Sequence, residues 1–400
     1  MFSSRNLLSG PWRALPVLGV TQIFAWGCLY YPPVLIVPLI AAEHGWSPAF
    51  AMSGYSAALL TGGLVAPIVG RTIDRRGGHV VMTAGALMGA AGLAAITVAH
   101  HPVAYIAAWM LVGAAMSASL YESAFATLGR IFGMAARQPI TILTFVGGLS
   151  STVGWPATQF LIHTIGWRGC YLVYAVLMAA ISAPLLAFVL PREHADLTAP
   201  ARKSMVPQSP PLPPRGWPFL LVTAGFSAYA FIPSGLSAHL IAIFERGGLD
   251  ANAAVAVGML FGPSQVLARA CEFAFGARAH PVTMARFAFA LITCNFIVLL
   301  IAGITTPLAA LFYILFGASN GLVTIARGTV PLSLFGASGF GVVVGRMALP
   351  WLLMQAASPL VLAVVIERFS DDGALALAGL FAGLALASFF AIRKPHPTGN

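Results

Sequence analysis

The stretch Gly70-Arg71-Thr72-Ile73-Asp74-Arg75-Arg76-Gly77-Gly78-His79 lies between two long apolar segments of the chain. It combines glycines with several basic residues and with one acid, Asp74. A short charged stretch in this place is typical of a polar loop that joins two membrane-spanning helices. It therefore predicts that the apolar segments on either side cross a membrane.

The composition of the whole chain points to the same environment. Hydrophobic residues make up 59% and charged residues 8% of the 400 residues, and the mean hydropathy is +0.88. So few polar residues cannot cover a water-facing protein of this size. The chain is therefore predicted to be solvated by lipid.

Apolar segments long enough to cross a bilayer recur along the chain. A helical span needs about 20 apolar residues, because each residue rises 1.5 Å and the hydrocarbon is roughly 30 Å thick. By this measure we predict twelve spans, at residues 15–41, 47–70, 80–99, 102–129, 138–165, 168–190, 217–244, 252–277, 283–303, 307–331, 339–367 and 373–392.

The charged stretch resembles the signature loop of the major facilitator superfamily, which joins the second and third transmembrane helices. Gly70, Asp74, Arg75 and Gly77 match its pattern, and the resemblance implies that they form a conformational gating loop. In that family the pattern usually ends in basic residues, but this chain has Gly78 and His79 at these positions. The resemblance implies an all-α membrane protein with twelve transmembrane helices in two pseudo-symmetric six-helix bundles.

Lysine and arginine are distributed unevenly between the two ends of these spans. If both termini are cytoplasmic, the outer loops hold only Arg168, Arg246 and Arg368. The inner loops and ends then hold Arg5, Arg13, Arg71, Arg75, Arg76, Arg130, Arg137, Arg192, Arg202, Lys203, Arg215, Arg278, Arg286, Arg393 and Lys394. This asymmetry obeys the positive-inside rule. It predicts a bacterial inner-membrane protein with cytoplasmic termini, and it explains the net charge of +10 without a nucleic-acid partner.

One stretch rich in proline and arginine, residues 191–218, interrupts the series of apolar segments. It predicts a semi-rigid linker, so we divide the chain into an N-terminal bundle (1–190), a cytoplasmic linker (191–216) and a C-terminal bundle (217–400). The two halves are similar in sequence when one is shifted by about 204 residues, so that Gly113, for example, corresponds to Gly317. In transporters built from such repeats, the substrate site lies near the bilayer midplane between the repeats.

Four ionisable residues at membrane depth are candidate functional residues: Glu122, Arg269, Arg327 and Arg346. A charge at a helix centre costs roughly 2.5 to 3.5 kcal/mol on insertion scales, so such residues usually face a bundle interior or a wet cavity. Alternative roles remain open. Arg327 lies near a helix end, where it can snorkel to the headgroups, and Arg269 can form a structural ion pair with Glu272.

Further segments resemble the monocarboxylate and oxalate/formate porters of the superfamily: residues 19–47, residues 166–172 and Ala268-Arg269. In that branch an arginine on the eighth helix binds the substrate carboxylate, and a second basic residue can lie on the eleventh. The resemblance assigns these roles to Arg269 and Arg346, with Arg327 assisting. The branch commonly has an acid one turn before the first arginine, but this chain has Gln265. Proton coupling is therefore assigned to Glu122.

Polar and aromatic residues of the first span are further substrate-binding candidates. Gln22, Trp26 and Tyr30 recur at intervals of four residues and so share one face of a helix. Tyr30 is followed by Tyr31 and two prolines, which suggests a broken helix with polar tips facing a cavity. The alternative is an aromatic packing seam.

Cofactor chemistry finds no support in the sequence. The four cysteines are scattered and show no metal-ligand spacing. No phosphate-binding loop or cluster of nucleophile and base occurs, so we predict neither an enzyme nor a cofactor or metal. Expected partners are a small anionic solute, protons and membrane lipid, and we expect a monomer.

The most economical hypothesis is a secondary active transporter that moves a small carboxylate by alternating access, as a proton symporter. One alternative is a proton-coupled exporter of drugs or other hydrophobic compounds, but residues 147–156 do not reproduce the antiporter motif of drug exporters. A second alternative is a sensor or membrane scaffold that does not transport. Such a protein would not need charged residues buried in the membrane.

The topology can be tested by labelling single cysteines in a background without the native ones. Cysteines at Arg76 or Arg202 should react only from the cytoplasmic side, and cysteines at Asp250 or Asp371 only from outside, because of the charge asymmetry. Membrane-impermeant maleimides on intact cells and on inverted vesicles measure this. The opposite pattern would exclude the proposed orientation.

Overall fold

The computed structural model describes residues 10–192, 216–275 and 279–392, and these residues form helices and no strand. Most of the predicted linker 191–216 lies outside the described residues. So do Arg5, Arg202, Lys203, Arg215, Arg278, Arg393 and Lys394.

Eight α-helices make up the first half of the chain. They are α1 (Ala14–Ala25), α2 (Pro33–His44), α3 (Pro48–Arg76), α4 (Gly78–Val98), α5 (Pro102–Ser119), α6 (Tyr121–Phe132), α7 (Arg137–Gly147) and α8 (Ser150–Leu177). Short 3-10 turns occur at Gly10–Arg13 and Gly133–Ala136, and π-helical turns at Trp26–Tyr30, Met178–Ser182 and Leu185–Val189.

The second half contains seven α-helices in its described residues. They are α9 (Trp217–Arg246), α10 (Ala251–Gly258), α11 (Phe261–Phe275), α12 (Pro281–Ala302), α13 (Thr306–Phe335), α14 (Phe340–Arg368) and α15 (Asp371–Ala391).

Several helices begin where a capping side chain precedes a proline. The Ser47 hydroxyl accepts a hydrogen bond from the Phe50 N–H at the start of α3. His101 and His280 accept in the same way at the starts of α5 and α12. Proline suits the next position because its φ is already helical and its missing N–H has no partner there. The helix starts are thus encoded locally.

Ten helical runs among the described residues are long and apolar enough to cross a membrane. One of them, Pro102–Val189, has 88 residues and as a straight helix would extend about 130 Å, several times the thickness of the hydrocarbon. The turn Gly133–Ala136 and the backbone at Gly166, with φ 74°, divide it into three crossings. With the other nine runs this gives twelve transmembrane helices among the described residues, and the protein is an all-α membrane protein.

The span predicted at 102–129 is not one continuous helix, because Leu120 has extended backbone between α5 and α6. Two side chains bond carbonyl groups beside this break. Ser123 Oγ donates to the Ser117 carbonyl oxygen at 2.6 Å, and Gln22 Nε2 donates to that of Ser119 at 2.6 Å. Such replacement partners allow a transmembrane helix to break without leaving backbone groups unsatisfied in lipid.

The described residues form two compact units. The N-terminal unit comprises residues 10–192 and 331–349, and the C-terminal unit comprises residues 216–275, 279–330 and 350–392. Residues 331–349, the end of α13 and the beginning of α14, thus pack within the N-terminal unit. The boundaries 1–190, 191–216 and 217–400 derived from the sequence stay a prediction.

The predicted repeat has a counterpart in the packing within each unit. In the N-terminal unit, a methyl group at Gly113 of α5 would overlap the carbonyl group of Ala58 on α3. In the C-terminal unit, a methyl group at Gly317 of α13 would overlap the carbonyl oxygen of Phe261 on α11. Both helix pairs therefore approach through a glycine at the corresponding position, as transmembrane helices commonly do.

Candidate functional site

Aromatic side chains gather at the end of α1 in the N-terminal unit. The centroid of the Trp26 ring lies 4.7 Å from that of Tyr30, 6.1 Å from that of Tyr31 and 5.0 Å from that of Tyr121, and the Tyr31 and Trp155 centroids are 5.9 Å apart. We call these five residues the aromatic group. All except Tyr121 are only half-buried, so part of each ring stays accessible.

The π-helical turn Trp26–Tyr30 and a hydrogen-bonded glutamine position these rings. Gln22 is fully buried. Its Nε2 donates to the Ser119 carbonyl oxygen, and its Oε1 accepts from Trp26 Nε1 at 3.2 Å. Gln22 therefore joins the indole of Trp26 to the break between α5 and α6. Turns of the π type inside helices occur frequently at functional sites.

Glu122 lies in the first turn of α6, directly after that break. Its side chain is half-buried. The preceding residue, Tyr121, belongs to the aromatic group. At this position the positive end of the helix dipole favours a negative charge. The break in the predicted fourth span thus gives Glu122 a specific electrostatic setting.

Arg269 is buried in the C-terminal unit, with 3% of its surface exposed. Its Nη2 donates to Gln265 Oε1 at 2.7 Å and to Thr324 Oγ1 of α13 at 3.4 Å. The close approach of α11 and α13 makes this possible, because a methyl group at Gly321 would lie 2.5 Å from the Gln265 carbonyl oxygen. Among the described residues, Arg269 and Glu272 are the charged side chains that are buried.

The other two candidate arginines have different surroundings. Arg327 lies three residues after Thr324 on α13, and its guanidinium carbon is 4.5 Å from the ring centroid of Trp351. Residues three apart on a helix are neighbours, so the contacts of Arg269 reach the turn next to Arg327. Arg346 is exposed on the part of α14 that packs in the N-terminal unit.

The charged stretch predicted as a loop is helical except at Gly77, because α3 continues to Arg76 and α4 begins at Gly78. Within it, Asp74 contacts the beginning of α14. Its Oδ1 accepts from the Gly341 N–H at 3.0 Å and its Oδ2 from the Val342 N–H at 2.8 Å. The first N–H groups of a helix have no partner within it and favour an anion. Arg130 donates to the Asp74 carbonyl oxygen. Arg75 is exposed, and Gly77, with φ 89°, ends α3.

Glycines bring the end of α3 and the beginning of α14 close enough for these bonds. A methyl group at Gly70 would overlap the Gly341 carbonyl group, and one at Gly345 would overlap the carbonyl oxygen of Ala66. The two pairs are spaced four residues apart on both helices, which is the spacing of small-residue contacts between membrane helices. The four-residue spacing of Gly70 and Asp74 on α3 thus serves the contact with α14.

The structure therefore divides the predicted site residues into separate groups. Trp26 contacts both Gln22 and Tyr30, and Glu122 lies in the same unit, directly after Tyr121. The sequence did not point to Tyr121, Trp155, Thr324 or Trp351, because nothing local links them to the predicted residues. The pattern Gly341-xxx-Gly345 was a detectable signal of close helix packing. No group of His, Cys, Asp and Glu able to hold a metal ion occurs within the described ranges.

Comparison with known proteins gives a family and a fold. Residues 18–359 match the family profile described as Major Facilitator Superfamily. The structure is similar to the crystal structure of the human organic anion transporter MFSD10 (TETRAN), with a TM-score of 0.73 over 96% of this chain and 99% of that chain. The two sequences are 19% identical, so this likeness shows the fold alone. A search of curated proteins gives no match.

The contact of Asp74 with α14 can be tested by stability. Asp74→Asn should destabilise the protein by about 1.5–3 kcal/mol, because the amide places its NH2 group against one of the two N–H donors and removes the charge. The melting temperature of the purified protein measures this. Asp371→Asn is the matched control, since Asp371 pairs with Arg246 on the surface and should contribute at most about 1 kcal/mol. Equal effects of the two substitutions would contradict a special role of Asp74.

Proposed function

Because the chain belongs to the major facilitator superfamily, we propose that it moves a small carboxylate anion across the membrane by alternating access, in symport with protons. Members of this superfamily are transporters, and the chain is accordingly a transporter and not an enzyme. The class of substrate, the coupling ion and the direction of transport are proposals.

The setting of Arg269 is the observation that carries the proposed substrate class. A buried guanidinium in a transmembrane helix is costly to insert and is by default a functional candidate. Here Gln265 and Thr324 hold it through neutral oxygens. These two hydrogen bonds fix the orientation of the guanidinium. A planar fork of N–H donors matches a carboxylate with two parallel hydrogen bonds.

Arg327 and Arg346 are proposed to assist. Stacking on Trp351 restrains the orientation of the Arg327 guanidinium. The role of Arg346 rests on the resemblance to the monocarboxylate and oxalate/formate porters. The human protein of similar fold is described as an organic anion transporter, which agrees with an anionic substrate.

The aromatic group is proposed to contact the apolar part of the substrate. The half-buried rings of Trp26 and Tyr30 offer faces for packing. Both ends of the Gln22 amide already have partners, so we assign Gln22 the task of positioning Trp26. Glu122 is proposed to carry the coupling proton, and the loop with Gly70, Asp74, Arg75 and Gly77 to act in gating.

The charge asymmetry supports the remaining proposals. It favours a bacterial inner membrane and cytoplasmic termini, because lysine and arginine concentrate at one end of the spans. Membrane lipid, protons and a small anion are the proposed partners of a monomer. No nucleic-acid partner is proposed.

A drug exporter is the second candidate function, and one observation favours it. Tyr121 of the aromatic group is followed directly by an acid, Glu122, and aromatic rings with a carboxylate suit a lipophilic cation. A thermal-shift screen of the purified protein separates the two candidates. Formate, oxalate, lactate and benzoate should raise the melting temperature if the carboxylate proposal holds, and cationic dyes should do so if the exporter proposal holds.

Substitution of Arg269 tests the substrate class. Arg269→Ala should weaken binding of the stabilising carboxylate roughly 30-fold to a few thousand-fold, because loss of one partner of a buried charge pair typically costs about 2 to 5 kcal/mol. Arg269→Lys should restore binding only in part, since an ammonium keeps the charge but lacks the planar fork. Isothermal titration measures both.

Glu272→Gln is the matched variant for this experiment. If Arg269 serves only a structural ion pair with Glu272, removal of either charge should lower the melting temperature alike and leave carboxylate binding unchanged. If Arg269 binds the substrate, Glu272→Gln should retain binding. Normal carboxylate binding by Arg269→Ala would overturn the proposal.

Substitution of Glu122 tests the coupling. Glu122→Gln should abolish proton-driven accumulation in proteoliposomes and leave substrate exchange intact, because an amide can neither take up nor release the proton. Glu43→Gln is the control, since Glu43 lies in the same unit and pairs with Arg168 at the surface. Accumulation by Glu122→Gln with the pH dependence of the unmodified protein would show that Glu122 is structural.

A further inference from the structure

Apart from the substrate-site candidates, the N-terminal unit has a small cavity, open to solvent, next to the charged stretch. Its walls come from three separate segments: the beginning of α4, the end of α6 and the residues that follow the last π-helical turn. The polar part of the lining consists of Gly77, Gly78, His79, Thr127, Arg130 and Arg192.

Basic side chains from all three segments line this cavity, and none of its lining residues is acidic. A methyl group at Gly77 would lie 2.9 Å from His79 Nδ1 and 3.9 Å from Arg130 Nε, so both side chains lie against Gly77. Arg192 reaches the cavity from the third segment, where its Nη2 donates to the Ala187 carbonyl oxygen at 3.0 Å. Like charges gathered in this way repel one another, and a bound anion would remove that repulsion.

The backbone adds to the positive potential. The 21-residue helix α4 begins at Gly78, and no side chain caps its first N–H groups. Its first turn contains no acid. Uncapped N–H groups and the helix dipole attract an anion, and here they act together with three basic side chains.

The cavity also borders on lipid-facing surface. Val80 follows His79 directly and is 42% exposed, and Phe188, four residues before Arg192, is 77% exposed. Both belong to the ends of apolar segments that cross the membrane, where the hydrocarbon gives way to the headgroups. An acyl chain could therefore lie on these side chains while its headgroup enters the cavity.

We propose that this cavity binds a phosphate group, and that in the membrane the phosphate belongs to an anionic phospholipid. His79, Arg130 and Arg192 supply charge-assisted hydrogen bonds, and the beginning of α4 supplies N–H donors. Val80 and Phe188 contact the acyl chains. The proposal concerns none of the residues assigned to the substrate.

The test uses the full chain purified in detergent and follows its melting temperature during titration. The ligands are short-chain phosphatidylglycerol, inorganic phosphate and sodium chloride at matched ionic strength. The double variant His79→Gln/Arg192→Gln leaves Arg130 intact, because Arg130 also bonds the Asp74 carbonyl oxygen. Arg71→Gln is the control: like Arg192, Arg71 is exposed and donates to a backbone carbonyl a few residues earlier, that of Pro67, but it lies outside the cavity.

Phosphatidylglycerol should stabilise the unmodified protein and Arg71→Gln at the same concentrations. The double variant should need an about tenfold higher concentration of phosphatidylglycerol for the same rise in melting temperature, which corresponds to about 1.4 kcal/mol of binding free energy. If inorganic phosphate alone reproduces this pattern, the ligand is a soluble phosphate; if only phosphatidylglycerol does, it is a lipid. Equal responses of the double variant and the unmodified protein to both phosphate ligands would overturn the proposal. No transport is measured, so that result would leave the proposed function untouched.

Discussion

The need to satisfy every backbone polar group inside the membrane is the constraint on which this structure depends. Lipid offers no hydrogen bonds, so each break in a transmembrane helix needs side-chain partners. The break at Leu120 has Ser123 and Gln22 bonded to neighbouring carbonyl groups. The beginning of α14 has Asp74 bonded to its first N–H groups. These polar side chains are therefore placed where a helix breaks or begins.

These departures also position the candidate functional residues. Gln22 bonds the Ser119 carbonyl group and the indole of Trp26 at the same time. The break moves Glu122 from the middle of a helix to the first turn of α6, where the helix dipole acts on its charge. A feature that satisfies the backbone thus also places Tyr121 of the aromatic group and the acid Glu122 in the first turn of one helix.

Glycines that let two helices approach closely also bring side chains of one helix within hydrogen-bonding distance of the other. In the C-terminal unit, the glycines of α13 let α11 approach until Arg269 reaches Thr324. In the N-terminal unit, Gly70, Gly341 and Gly345 let α3 approach α14 until Asp74 reaches its N–H groups. Lipid is as apolar as the side chains, so van der Waals contact and hydrogen bonds, rather than the hydrophobic effect, stabilise such seams. Larger residues at these glycines would separate the groups that form the hydrogen bonds.

The sequence by itself determined the environment, the fold class and the family of this protein. Composition and the length of apolar segments require a membrane and twelve helices, and the charged loop, read with them, indicated the superfamily, because lipid imposes these patterns on the chain locally. Only the tertiary structure decided what each polar residue contacts. That Asp74 bonds the beginning of α14, that Gln22 bonds Ser119 and that Arg269 bonds Thr324 depend on helices far apart in sequence. Such contacts result from how the helices pack, which no local pattern of residues records.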